Sequence, residues 1–489
     1  MDEKPNSPSA DHRAMADYWR MVETILGGAK AMRAAGEMYL PKFEVESRAE
    51  YDLRKQHAKF TNIYRDILEN LAQKPFGTKV AISDDAASDL QLFAEDVDGR
   101  GNNLHVFAGD VFFAGINAAV DWIMVDYTKD VPANATRADE ARLGARPYWT
   151  RYPASSVLAV YSAQINGGEQ FVHVRLSESV TERHGFREVT KERVRVLDRE
   201  KIEGGGYAPA TYTVWERQEN IKAGQDEWLV IEGPAPISIG IIPMVPFLAG
   251  RRIGQSWRIH PPMRDAADLQ IDLYQQENAL KSAKTFTAFP MLSADGVDPQ
   301  VGEDGKPASI VVGPKTVLYG GASETGSGGS WSFIEPSATS LSFLATDIKD
   351  TIRELRELGR QPLTAQSGNL TVVTTAFAAQ KGNSAIQAWA INLKDALERA
   401  LQITAMWLKI DGDATVTINT DFDLGFGDDD SFSHIVAMYQ AGTISRQQLV
   451  HEAKRRGIID RDYDGDDDLD QILSEMEGED EVPSAIAAE

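Results

Sequence analysis

The chain has 489 residues, with 50 Lys plus Arg against 74 Asp plus Glu, a formal net charge of −24. It contains no cysteine, which excludes disulfides, thiolate metal sites and thiol catalysis and suits a reducing compartment. The acidity argues against a protein that wraps nucleic acid by bulk charge, since such binders are usually basic, but not against one that surrounds DNA without gripping it.

Residues 1–14 are polar and are expected to lack structure; Met1-Asp2-Glu3-Lys4-Pro5 offers no apolar signal-peptide core. Tyr18, Trp19, Val22, Ile25 and Leu26 recur at helical spacing, and Gly27-Gly28 closes that run. A second helix is predicted over about 47–72 and a third over about 101–120. Trp122–Tyr127 reads as a short buried strand. From about 148 to 250, Val-, Tyr-, Thr- and Trp-rich runs at 156–164, 170–178, 193–197, 211–217 and 227–231 alternate with glycine turns, predicting an antiparallel β module that Ile241–Phe247 closes.

Pro261-Pro262 opens a helix to about Thr287. Residues 288–336 are Gly- and Pro-rich, with strands predicted at Ser309–Val312, Thr316–Tyr319 and Trp331–Ile334. A helix over 337–358 carries Leu341, Leu344, Ile348, Ile352 and Leu355 on one side; Lys349, Asp350, Arg353, Glu354, Arg356 and Glu357 lie on the other. The polar run 360–372 has no periodicity. The next helix, about 374–410, spans about 55 Å at ~1.5 Å per residue, and Gly382 is its expected kink. A strand at Ala414–Asn419 and two short helices follow. The last 30 residues hold 13 acids and one base. No stretch approaches the ~20 apolar residues of a membrane span.

Local motifs exclude more than they assign. Gly302-Glu303-Asp304-Gly305-Lys306-Pro307 fails the spacing of a phosphate-binding loop. The chain has no H-E-x-x-H and no G-x-S-x-G string, and its eight histidines are scattered. Asp460, Asp462, Asp464 and Gly465 copy the start of a calcium loop, yet Asp467 and Gln471 stand where an apolar residue and a bidentate Glu belong. The alternative of a solvated acidic tail stands beside it. Two further classes stay open on the residues alone: a hydrolase whose Asp, Glu and His groups assemble from distant segments, and a scaffold regulated by metal at its acidic tail.

The order of parts carries more than any motif. Two long helices, 262–287 and 337–358, flank a β/turn insertion of about 50 residues; a polar loop and a very long helix follow. With it come Tyr39-Leu40-Pro41-Lys42, Tyr51-Asp52-Leu53-Arg54, Phe60-Thr61-Asn62-Ile63-Tyr64-Arg65, Gly115-x-x-Ala118 before Trp122–Tyr127, Ile242-Pro243-x-Val245-Pro246-Phe247, and Glu357-Leu358-Gly359-Arg360-Gln361-Pro362-Leu363. Over about 15–460 this order resembles the portal proteins of tailed bacteriophages. Thr374-Thr375-Ala376 departs mildly from the family's opening of the long helix, and the tail beyond 460 lies outside the resemblance.

The resemblance implies an α+β, ring-forming fold: a wing at 15–250, first a helical part and then the β module, a first stem helix at 251–288, a clip at 289–336 and a second stem helix at 337–359. A tunnel loop at 360–373, a long wing helix and strand at 374–430, a crown at 431–459 and the acidic tail at 460–489 complete it. It implies no catalytic activity and no cofactor. Its implied function is a dodecameric conduit for double-stranded DNA at the capsid vertex, for packaging and ejection, assembled in the host cytoplasm and resident in the virion. Lys349, Arg353, Arg356, Arg360, Gln366, Ser367 and Asn369 would line the channel. Lys306, Lys315 and Trp331 would lie in the clip that meets the terminase large subunit and the head-tail adaptor. Other implied partners are further copies of the chain and the major capsid protein or scaffold; no membrane is implied.

Overall fold

The computed structural model describes residues 4–44, 46–128, 136, 139, 142–218, 227–288, 291–295, 330–334, 338–359, 372–420, 422, 429–455, 458–459, 463 and 468. They fall into two compact units, Met1–Thr420 and Asp421–Glu489.

The larger unit begins with a helical layer. Helix α1 (Ala10–Leu26) starts inside the segment expected to lack structure, because the Ser9 side chain caps it by accepting from the His12 backbone. Such a cap stabilises a helix by about 1 kcal/mol. The Ser9 backbone N–H also donates to the Leu158 carbonyl at 2.9 Å, which ties the chain start to a strand. Helix α2 (Gly28–Ala35) follows. The single helix predicted over 47–72 is two helices, α3 (Arg48–Gln56) and α4 (Ile63–Gln73). Ser47 opens α3 with a capping box to Glu50, and Asn62 caps α4. What interrupts them is tertiary and is described below. Strand β1 (Ala81–Ile82), α5 (Ser88–Ala94) and α6 (Leu104–Ala118) complete the layer.

Helix α6 runs into β2 (Val120–Tyr127), the centre of a three-stranded sheet with β3 (Pro147–Pro153) on one side. The β module is a five-stranded antiparallel meander of β4 (Val157–Ile165), β5 (Gly168–His184), β6 (Arg187–Asp198), β7 (Thr211–Arg217) and β8 (Trp228–Pro236). Strand β9 (Met244–Leu248) does not close this meander. It pairs with β2, Val120 opposite Leu248 and Met124 opposite Met244. The reason is packing: a Cβ on Gly115 of α6 would lie 2.3 Å from the Phe247 ring, so only glycine lets that ring settle onto the helix. There Phe247 stacks on Phe112 at 5.6 Å. Two sequence strings about 130 residues apart thus form one contact.

After the short pair β10 (Arg251–Arg252) and β11 (Ile259–His260) come α7 (Arg264–Ala288), β12 (Met291–Asp295), β13 (Ser330–Ile334), α8 (Ala338–Leu358), α9 (Val372–Leu408) and β14 (Val416–Thr417). Helix α9 is unbroken through Gly382. Ile386, Trp389, Leu393, Leu397 and Leu401 are buried along it, while Leu408 at its end is half-buried, and its Thr404 accepts from the buried Trp149 indole N–H of β3 at 2.8 Å. The strands predicted at 309–312 and 316–319 lie outside the described residues. The smaller unit contains α10 (Asp429–Gln440) and α11 (Arg446–Arg455). Among the described residues, no helix is long and apolar enough to cross a membrane.

Candidate functional site

Helices α7 and α8 pack together, and the strands joined to them pair antiparallel, Met291 opposite Ile334 and Asp295 opposite Ser330. Helix, strand, strand and helix therefore make one two-legged limb, and one leg is built into the body.

That leg is α7. Gln270, Tyr274, Glu277, Asn278 and Lys281 recur at three- and four-residue intervals, which puts them on one face of the helix. Asn278 brackets the peptide of Lys59: its Oδ1 accepts from the Lys59 N–H at 2.8 Å and its Nδ2 donates to the Lys59 carbonyl at 2.9 Å. Gln270 does the same one step further on, accepting from the Tyr64 N–H at 2.9 Å and donating to the Thr61 carbonyl at 3.0 Å. Buried Glu277 accepts from Lys59 Nζ at 2.7 Å, the Thr61 hydroxyl at 2.6 Å and the Thr61 N–H at 3.1 Å. Lys281 donates to the His57 carbonyl.

These side chains supply what a helix would otherwise supply to residues 57–64. A buried backbone group left unpaired costs about 1–3 kcal/mol, so the segment can leave the helix only where α7 satisfies it, together with Arg33 of α2, which donates to the Ala58 carbonyl at 2.9 Å. Here lies the physical cause of the gap between α3 and α4.

On the other leg, α8, Leu355 is fully buried, while Leu341, Leu344, Ile348 and Ile352 of its stripe are half-buried. Thr351 donates to Gln276 of α7 at 2.9 Å. Gly359 closes the helix under Ile67: a Cβ there would lie 2.5 Å from the Ile67 Cγ2, so α8 and α4 meet only at a glycine.

Of the channel residues named from the sequence, Lys349 and Arg353 are exposed on α8, and Arg353 pairs with Asp350 at 3.0 Å. Arg356 is half-buried and pairs across to Asp66 of α4 at 3.0 Å. With Arg356 turned to the body, the charges exposed on α8 are Asp347, Lys349, Asp350, Arg353, Glu354 and Glu357. Four acids outweigh two bases, so this face is weighted toward acid rather than balanced. Trp331 is half-buried in β13. Arg360, Gln366, Ser367, Asn369, Lys306, Lys315 and the triplet Asp460, Asp462 and Asp464 lie outside the described residues. Among those described, no group of three or more His, Asp or Glu has the geometry to hold a metal ion.

Sequence reasoning missed Gln270, Glu277 and Asn278. Each looks like an ordinary surface residue of a helix, and the signal was their shared spacing. That spacing gains meaning only once a polar segment, 57–62, is known to lie against it.

A family model described as "Domain of unknown function (DUF4055)" matches residues 262–408, less than a third of the chain. The match runs from the start of the limb to the end of α9. No curated protein matches the chain. Among solved structures, a chain from the neck of an empty gene transfer agent (GTA) particle, computed with C6 symmetry, is similar at 12% identity. It covers 88% of this chain and 99% of that one, with a TM-score of 0.41. A chain from the virion of a native GTA particle is similar at 11% identity, covering 88% and 97%, with a TM-score of 0.39. One from the neck of the native particle, computed with C12 symmetry, is similar at 11%, covering 86% and 97%, with a TM-score of 0.39. Likeness this loose says nothing of partners or assembly.

Proposed function

We propose that this chain is a portal protein: a ring of copies, twelve by the family resemblance, at one vertex of a phage-like capsid. Double-stranded DNA enters and leaves through its centre. In this reading α8 and the tunnel loop expected at 360–373 face the channel, and the β12–β13 end of the limb receives the packaging ATPase and later the head-tail adaptor. Capsid or scaffold contacts belong to the outer body, and the mature ring resides in the virion.

The observation that carries the reading is the limb itself. One helix is fixed to the body by side-chain-to-backbone bonds, its partner presents an open polar face, and a two-stranded sheet joins the pair before the chain returns through a helix of 37 residues. The acid-weighted face supports it. Each phosphate neutralised by Lys or Arg releases counterions and adds salt-dependent affinity, and a conduit that accumulated such contacts would hold the DNA it must pass. Lys349 and Arg353 among four carboxylates give weak, non-specific contact instead.

Electron microscopy of the purified full chain tests the reading, with rings bearing a central hole as the expected result. Monodisperse monomers at high concentration across a range of salt would overturn it. Deleting Gln366–Asn369 is expected to leave rings intact and to impair DNA packaging or retention.

A further inference from the structure

The larger unit contains a half-open cavity of about 280 Å³, walled by the start of β5, by β9, by the β10–β11 hairpin and by α9. Phe171, Met244, Pro246, Trp257 and Ile403 supply most of its apolar wall. An apolar cavity of ~150 Å³ already accepts a benzene ring, so a phenyl group fits here with room for the chain that carries it.

The charged side chains at the cavity are not equivalent. Arg252 donates to the Glu169 carboxylate, Nη1 to Oε2 at 2.8 Å and Nη2 to Oε1 at 3.1 Å. It also donates to the Ser256 and Gln255 carbonyls at 3.1 and 3.0 Å, and its guanidinium stacks 4.0 Å from the centre of the Trp257 ring. Arg252 is thus spent within the chain, its charge is cancelled, and it serves as wall. Arg399 differs. It is exposed, its Nη1 donates to the Gln402 side chain at 3.0 Å, and it has no ion pair among the described residues. Of the acids near it on α9, Glu398 accepts from the Val416 N–H at 2.9 Å, and Asp395 does not line the cavity.

The hairpin beside the cavity carries the same sign. Residues 251–260 include Arg251, Arg252 and Arg258 and no acid. Arg251 and Arg258 are exposed, with no ion pair among the described residues. Asp11 of α1 reaches this hairpin, where it accepts from the Trp257 backbone N–H at 2.8 Å. In a chain of net charge −24, this is a local basic spot around an apolar hollow.

We propose that the cavity docks an acidic segment of a partner protein, which places one large apolar side chain in the hollow and a carboxylate on Arg399. The spacing agrees. Arg399 and Ile403 stand one helical turn apart, about 6 Å. Residues two apart in an extended segment point to the same side at about 6.6 Å, so a carboxylate two positions from the apolar residue meets both. The wall is already fixed by the Arg252–Glu169 pair and the Arg252–Trp257 stack, so little ordering opposes binding. A nucleic acid is the weaker candidate. The overall negative charge repels a long polyanion, whereas a short acidic segment meets mainly the charges within about 10 Å. The contact is a property of one copy and does not depend on the ring.

Fluorescence anisotropy of the full chain with short labelled peptides tests the proposal. The probe carries one phenylalanine with a glutamate two positions away on either side. Control peptides replace the phenylalanine by alanine or the glutamates by lysine. Expected is saturable binding of the probe with a dissociation constant below about 1 mM, weakened at least about tenfold without the phenyl group and at least about fivefold with lysines. Arg399→Gln, at an exposed helix position, should leave the melting temperature unchanged and weaken the probe about fivefold. Ile403→Trp should fill the hollow and abolish binding; if that variant does not fold, Arg399→Gln decides alone. No binding below about 1 mM, equal binding of either control peptide, or unchanged affinity in Arg399→Gln overturns the proposal. A short DNA duplex that binds more tightly than the probe and displaces it also overturns it, and assigns the site to nucleic acid. The readout is binding rather than assembly, so failure here leaves the ring reading standing, and monomers in microscopy leave this contact standing.

Discussion

Helices α7 and α8 are neighbours of similar length and similar polarity, yet their polar residues do opposite work. One polar face of α7 is spent inside the molecule: Gln270, Glu277 and Asn278 are buried and bonded to the 57–64 segment. The polar residues of α8 face outward, with Thr351 and Arg356 as the exceptions that hold it to α7 and α4. A polar helix face therefore does not identify a solvent face. What distinguishes the two is whether an extended backbone lies against them. If the comparison is right, equal changes in the two helices have unequal effects on stability.

The largest effect is expected at the anchor. Glu277→Ala removes three hydrogen bonds to Lys59 and Thr61 and should cost about 3 kcal/mol in chemical denaturation. A loss below 1 kcal/mol would mean that water replaces the carboxylate and that α7 is not an anchor. Next is Gly359→Ala. Its Cβ would meet Ile67 at 2.5 Å, and overpacking of this kind costs about 2 kcal/mol, read as an earlier thermal midpoint.

Charge buried in the body should behave unlike charge on the limb. Asp121 of β2 is fully buried, its Oδ1 has no partner among the described residues, and the Arg151 guanidinium stands 3.5 Å away. Burial pushes its carboxyl well above the usual value of 3.8, more than Arg151 pulls it down. The folded state thus keeps a proton that the unfolded chain has lost, and stability falls as pH rises from about 4 toward the folded value. Asp121→Asn removes that penalty. The variant should be more stable than the parent by about 1 kcal/mol at neutral pH, with the gap closing near pH 4; a destabilised variant at pH 7 would show that the ionised pair with Arg151 is net favourable.

The smallest effects belong to α8. Arg356→Ala breaks the partly exposed pair with Asp66 and should cost under about 1 kcal/mol. Lys349→Ala with Arg353→Ala should change stability by less than about 0.5 kcal/mol while altering the salt dependence of DNA passage in a packaging assay. A large stability loss from the Lys349 and Arg353 pair would place those residues in an interface rather than on an open face.

Much of the architecture was legible beforehand because it depends on local pattern. The apolar stripe of α9 from Ile386 to Leu401, the five alternating runs of the meander, and the two helices that flank the β insertion all follow from 3.6- and 2-residue periods. The errors share another cause. One helix was predicted over 47–72 since nothing local to 57–62 forbids it. Residues 241–247 were assigned to the meander because they adjoin it in sequence. The strings containing Gly115 and Phe247 each stand out in the sequence, but nothing local to either shows that it requires the other.

The sequence by itself determined the long helices and the strands of the meander, the absence of thiol chemistry, and an excess of acid over the whole chain. Those properties are sums over residues or patterns within a turn or two. Tertiary structure alone decided that α7 is an anchor and α8 an open face, that Arg356 turns to the body, and that β9 joins β2. Each of these depends on which backbone groups lack partners and which surfaces lie within a few ångströms, and neither is fixed until distant segments meet.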